Sequence, residues 1–240
     1  MSLIRQWHGT GAPVGTFTPG TIGSLVGAGD NPFTNYGGAP QVVASGDQPN
    51  RLMISGPAAV TAAQILRMTL GVTLTQMTYS FMWTLATLPA GGVSPVLSSW
   101  YTTGLSLQGE LDFQLSQRRL RLRNNTAVVT SGVALSLNVA VQYRVQVQIN
   151  SNTVTVKIYD NRTNTVVDTF SGAVTSTVNE LSLGTRFATA DMRDTFYDDL
   201  MVDNTPTDIP AWLPATPRIF PAPAEITGVG RTYGRFAEFV

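Results

Sequence analysis

Residues 141–149, VQYRVQVQI, alternate without exception. Val141, Tyr143, Val145, Val147 and Ile149 fall on one side of an extended chain, and Gln142, Arg144, Gln146 and Gln148 on the other. TVTVKIYD (153–160) alternates in the same way, with Val154, Val156 and Ile158 apolar. A period of two marks a half-buried antiparallel pair. Matching the apolar faces predicts Val147 opposite Val154 and Val145 opposite Val156. That register needs a two-residue turn at Asn150-Ser151, or a four-residue loop; a slip by one residue would expose half the core. Further strands are predicted at 51–55, 64–70, 77–88, 95–101, 105–115, 118–124, 126–130, 165–170, 180–184 and 194–203. The best helix signal, PAAVTAAQIL (57–66), is short. Strands recurring at about ten-residue spacing predict an all-β sandwich or barrel.

Outside 51–204 the alternation fails. Residues 1–50 are rich in Gly, Thr and Pro, yet Trp7 and Phe17 stand among other large apolar side chains. Residues 205–240 are Pro-rich and carry Trp212, Phe220, Tyr233 and Phe236. Proline forbids helix and central strand there, and a free linker seldom holds so many aromatics. The division expected is an extended N-terminal arm (1–50), a sandwich (51–204) and an extended C-terminal arm (205–240). The named aromatics are expected to anchor the arms on copies of the chain or other partners, giving a homo-oligomer, a trimer by preference, or a lattice-bound subunit.

Composition narrows the function. Fifteen basic and fifteen acidic side chains cancel, and charged residues are only 12% of 240. A neutral chain has no general grip on nucleic acid or an anionic membrane. With no cysteine and one histidine, His8, thiolate metal sites are excluded and most histidine-based catalysis is removed. No apolar run is long enough to insert in a membrane, and the start lacks the basic-then-apolar order of a signal peptide.

One stretch has the look of catalysis. In GELDFQL (109–115), Glu110, Asp112 and Gln114 share a strand face. Retaining glycoside hydrolysis needs two carboxyls about 5–5.5 Å apart, but Gln114 carries an amide where the second should stand. The following RRLRLRN (118–124) can fold back through a turn at Ser116-Gln117. Phe113 then faces Leu120 and Leu111 faces Leu122, while Gln114 meets Arg119, Asp112 meets Arg121 and Glu110 meets Arg123. Opposite charges directly across a ladder contribute about 0.2–1 kcal/mol each. The chain is therefore expected to be no enzyme. The same face, Glu110 and Asp112, is the candidate for polar ligand contacts, and Trp83, Trp100 and Tyr101 are the candidates for sugar stacking. The alternative for the aromatics is core. Asp198 and Asp199 head an acidic cluster that could hold Ca²⁺, an oxygen-seeking ion; otherwise no cofactor is expected. Asp198 shares parity with Phe196, Leu200 and Val202, so a buried hydrogen bond or a bulge is expected there.

The run from 77 to 204 resembles the concanavalin A-like lectin/laminin-G jelly roll. YSFMWTLATL, YRVQVQINSNTVTVKIYD and above all TFYDDLMVDNT (195–205) carry the likeness. It implies an antiparallel jelly-roll β-sandwich with a carbohydrate-binding lineage. The flanks, with a tail ending GVGRTYGRFAEFV, resemble virion structural proteins of tailed phages. That resemblance implies a minor tail protein or a capsid decoration protein, made in the host cytoplasm and built into the particle. Its partners would be other virion proteins, copies of itself and host surface glycan.

Overall fold

A computed structural model describes residues 64–85, 88, 94–102, 104, 106–125, 127–185 and 195–209, together with the backbone of five short strands between residues 3 and 53. Those five are β1 (Leu3–Trp7), β2 (Gly15–Thr16), β3 (Asn35–Gly37), β4 (Gln41–Val43) and β5 (Arg51–Met53). Then follow β6 (Gln64–Leu74), β7 (Gln76–Leu85), β8 (Val96–Thr102), β9 (Ser106–Gln114), β10 (Arg119–Asn124) and β11 (Val128–Ser131). The last are β12 (Gln142–Asn150), β13 (Thr153–Asp160), β14 (Thr165–Ala173), β15 (Val178–Thr185) and β16 (Thr195–Asp203). The described residues hold no α-helix, only a 3₁₀ turn at Leu115–Gln117. Of the segment with the best helix signal, 57–66, residues 64–66 open β6, where a strand was predicted at 64–70, and the rest lie outside the described residues.

The strands form two antiparallel sheets, ordered β14-β13-β12-β7-β16-β5-β4-β2, with β1 also on β16, and β11-β10-β9-β8-β15-β6-β3. This is the antiparallel jelly-roll sandwich. Its core lies between the inner faces, where Tyr79, Phe81, Trp83, Val145, Val147 and Tyr197 meet Leu66, Trp100, Leu111, Phe113 and Leu120. Between the two sheets the rings pack edge-on or tilted: Trp83 lies 5.5 Å from Phe113, and Tyr79 lies 6.4 Å from Trp100 at 61°. Burial drives the phenols of Tyr79 and Tyr197 far above the ordinary tyrosine range, so both stay neutral.

The β12–β13 hairpin keeps the predicted faces but shifts the register by two. Val147 pairs with Val156 and Ile149 with Val154, and Ser151 and Asn152 make the turn. The shift adds the Ile149–Val154 pair to the core, and Ser151 accepts the left-handed backbone (φ 53°) that the tight return needs. In β16 the register breaks between Asp198 and Met201, a bulge centred on Asp199 (φ 49°), where the backbone N–H of Asp199 donates to Asp198 Oδ1 at 2.8 Å. The bulge inverts the parity expected before it: Tyr197, not Phe196, enters the core with Leu200 and Val202.

Candidate functional site

Alternation along β9 and β10 sends Leu111, Phe113, Leu120 and Leu122 into the core and leaves the charged side chains on the outer face. Arg118, in the left-handed region at φ 42°, closes the turn between them. The register is the one predicted: Gln114 opposite Arg119, Asp112 opposite Arg121, Glu110 opposite Arg123. Arg121 grips Asp112 with a two-pronged fork, Nε donating to Oδ1 at 2.8 Å and Nη2 to Oδ2 at 2.6 Å. Arg123 Nη1 adds a third donor to Asp112 Oδ2 at 3.3 Å and stands 3.5 Å, through Nε, from Glu110 Oε1. Arg119 Nε donates to Gln114 Oε1 at 2.8 Å.

The carboxyls of this face are buried beneath partly exposed arginines. Asp112 is 0% exposed and Glu110 3%. Ser99 stands between Glu110 and Ser182 in neighbouring strands, and both serine hydroxyls are buried with no hydrogen-bond partner. One strand further, Arg67 Nε pairs with Glu180 at 3.0 Å, and its guanidinium lies 6.0 Å from the Tyr101 ring centre. Burial raises the Glu180 carboxyl above its ordinary range against the pull of Arg67. The cluster is a locked ion-pair ladder. Its arginines hold the Asp112 and Glu110 carboxylates as counter-ions, and Gln114 can neither give nor take a proton.

A second polar constellation covers the outer face of the other sheet. After β16 the chain turns back as a strap, residues 204–209. Thr78 Oγ1 donates to the Thr205 carbonyl at 2.8 Å. Gln146 Nε2 (2.7 Å), Gln148 Nε2 (2.6 Å) and Lys157 Nζ (2.6 Å) all converge on Asp208 Oδ1. The N–H of Ile209 donates to Gln146 Oε1 at 2.9 Å, and Arg144 Nη1 donates to the Ile209 carbonyl at 3.1 Å. Arg144 also stacks 3.8 Å over the Tyr159 ring. The polar side of β12 is therefore a buried seat for the strap, not a solvated face: Gln146 is 0% exposed and Arg144 3%.

Burial opposes ionisation of Asp208, but hydrogen bonds from Lys157, Gln146 and Gln148 outweigh it and hold its carboxyl below the usual value of 3.8. A carboxyl lowered by folding contributes its stability above the unfolded value and loses it as pH falls through the lower folded value. Strap docking is therefore constant at neutral pH and weakens below pH 3.8. The Ile209 amide resonance followed from pH 6 to 2 should move only in that acid window, and Asp208→Asn should abolish the movement. A shift centred near pH 6 would contradict the assignment.

The other residues singled out in the sequence fall as follows. Trp83 and Trp100 are core side chains, 2% and 0% exposed, and Tyr101 is buried at 3%, so none presents a ring to a sugar. For the tryptophans the reason is packing, since the inward positions of β7 and β8 need large side chains to fill the space between the sheets; Tyr101 lies outside that core cluster, beside the Arg67 guanidinium. Trp100 Nε1 donates to Ser176 Oγ at 3.0 Å inside. Asp198 and Asp199 form the β16 bulge, and no group of three acidic or histidine side chains among the described residues could hold a metal ion. Of the arm anchors, Trp7 lies in β1, its backbone paired with Leu200. Phe17, Trp212, Phe220, Tyr233 and Phe236 lie outside the described residues, as does His8. Sequence reasoning missed Asp208 and the seat it closes. The run Gln-Arg-Gln-Gln along one side of β12 was the available signal, since three amides and an arginine in a row are apt to bind backbone.

These features define an antiparallel jelly-roll β-sandwich. No family profile and no curated protein matches the sequence. Solved structures do. The lectin UEA-II complexed with galactose superposes with a TM-score of 0.52 at 9% identity, over 83% of this chain and 97% of that one. Lectin II from Ulex europaeus gives 0.51 at 9%, over 79% and 96%. The sialidase of Trypanosoma rangeli gives 0.53 at 12%, over 86% of this chain and 31% of its own. At such identities the likeness is one of fold.

Proposed function

We propose that this chain is a non-enzymatic binding and assembly module. The observation that carries the reading is the ladder on β9 and β10. Its acidic side chains are held by Arg121 and Arg123 at 2.6–3.5 Å, which leaves them as structural counter-ions rather than an acid/base pair. The finer reading is a structural subunit of a tailed-phage virion, a minor tail protein or else a capsid decoration protein. It is supported by the Pro-rich, aromatic character of residues 210–240, which would engage other virion proteins and copies of the chain; the strands β1 to β4 of residues 1–50 pair within the sandwich itself.

A second reading is carbohydrate binding, favoured by the fold shared with a lectin solved with galactose. Because residues 205–209 dock on the sandwich itself, the informative deletion starts at residue 211 and spares the strap. The shortened chain should keep its thermal midpoint yet fail to enter particles. Incorporation equal to that of the full chain would refute the assembly reading. A glycan array probed with the shortened chain tests the second reading, and incubation with sialylated and galactosylated glycans should release no free sugar.

A further inference from the structure

We infer that residues 205–209 are a detachable clasp seated in a receptor groove for an extended acidic segment, and that a second segment of the same chemistry, a carboxylate followed directly by a branched aliphatic residue, displaces it. The floor of the groove is the outer face of β7, β12 and β13. Register sets Thr78 beside Gln148 and Thr155, Ser80 beside Gln146 and Lys157, and Met82 beside Arg144 and Tyr159. These strands already satisfy one another's backbone groups, β12 pairing with β7 on one side and β13 on the other. Among the described residues, no backbone-to-backbone hydrogen bond ties residues 205–209 to the sheet. Each bond across the contact has a floor side chain at one end: Thr78, Arg144, Gln146, Gln148 or Lys157. The segment therefore leaves the groove without breaking a ladder, as a unit that opens on its own does. Pro206 and Pro210 lack an N–H and keep the segment from adding to a sheet as a strand.

The groove reads two features of its occupant. The first is the carboxylate: Asp208 Oδ1 takes donors from Gln146, Gln148 and Lys157, and Lys157 Nζ also reaches Oδ2 at 2.8 Å. Lys157 is the single lysine of the chain, placed where a carboxylate is to be held. The second is the residue that follows. Gln146 accepts the Ile209 N–H and Arg144 donates to its carbonyl, while the Ile209 side chain is shut in at 2% exposed. Arg144 is held ready, stacked on Tyr159 and donating Nη2 to Asn164 Oδ1 at 2.9 Å, so little of the receptor has to be ordered on binding. Two observations make the clasp replaceable. The Asp208 side chain is 54% exposed and that of Lys157 25%, so a competing carboxylate reaches the ammonium while the clasp is still seated. On the floor, Ser80 is 0% exposed and its hydroxyl has no hydrogen-bond partner. The resident segment leaves that hydroxyl unanswered, and a rival that supplies its partner fits better.

Hydrogen exchange of the full chain tests the clasp. The Ile209 amide should exchange at least about 100-fold faster than those of Val145 and Val147 in β12, because only the clasp has to open. Exchange at the β12 rate would make the segment part of the sandwich and overturn the inference. A fluorescent peptide with the sequence of residues 204–210, NTPTDIP, tests displacement. The intact chain should bind it weakly, since the tethered clasp competes at an effective concentration of about millimolar. Asp208→Lys sets like charges together at Lys157 and should empty the groove. That variant should keep the circular dichroism of the sandwich and bind the peptide at least about tenfold more tightly. Gln146→Leu in the same chain, or the Asp208→Asn change in the peptide, should remove the gain. A folded Asp208→Lys chain that ignores the peptide, or takes the Asp and Asn peptides alike, would overturn the inference. So would loss of the fold in that variant, which would make the segment a structural part of the sandwich.

Discussion

Asp112→Ala should destabilise the protein by about 3–5 kcal/mol, far beyond the cost of losing a surface ion pair. Asp112 is fully buried and accepts from both Arg121 and Arg123. Truncating it leaves the guanidinium of Arg121, only 17% exposed, without its counter-ion. The penalty belongs to the orphaned charge rather than to the worth of the pair. Replacing both partners, Asp112→Leu with Arg121→Met, should therefore recover most of the loss, to within about 1 kcal/mol of the parent. Urea denaturation of the three variants decides the point. A loss below about 1 kcal/mol for Asp112→Ala would show a solvated ladder.

Gly109→Ala should be nearly as damaging, at about 3 kcal/mol, although it adds one methyl group. Gly109 lies opposite Trp100 in the β8–β9 pair, and the new Cβ would fall inside the indole, 2.6 Å from Cε2. Trp100 is 0% exposed, stands edge-on to Tyr79 and donates to Ser176, so it cannot step aside without losing that hydrogen bond. Real Cβ atoms do not approach so closely, and a core at native density has no slack to share the displacement. In a Trp100→Phe background the smaller ring leaves room, and the same alanine should cost about half as much or less, which a double-mutant cycle measures. Equal costs in both backgrounds would mean that the clash is not with the indole.

These two sites differ in how far the chain alone discloses them. The β9–β10 register was legible residue by residue, because charge and hydrophobicity alternate together there and one pairing satisfies both. The all-β class was legible from strands recurring at about ten-residue spacing, which left a sandwich or a barrel, and the resemblance of 77–204 to a jelly roll pointed to the sandwich. The β12–β13 register was legible only in parity. Valines and isoleucine repeat every second residue, so a slip by two keeps every face, and the turn geometry at Ser151 settles what the pattern leaves degenerate.

Burial of polar side chains was legible only at Asp198, whose parity with apolar neighbours predicted a buried hydrogen bond or a bulge. Alternation says which residues face away from the core, but not what covers them. Glu110 and Asp112 read as an exposed face and are enclosed. Gln146 and Arg144 read as solvated and are the seat of a strap from residues more than sixty positions away. Trp83 and Trp100 are equally apolar as core or as sugar platform, and only the stacking of the two sheets puts them inside. The sequence by itself determined the strands, their faces and the pairing of the charged ladder, since these follow from local period and nearest-neighbour complementarity. Tertiary structure alone decided which outer faces are closed and where Asp208 docks. Those depend on contacts between segments distant along the chain, and no local pattern encodes them.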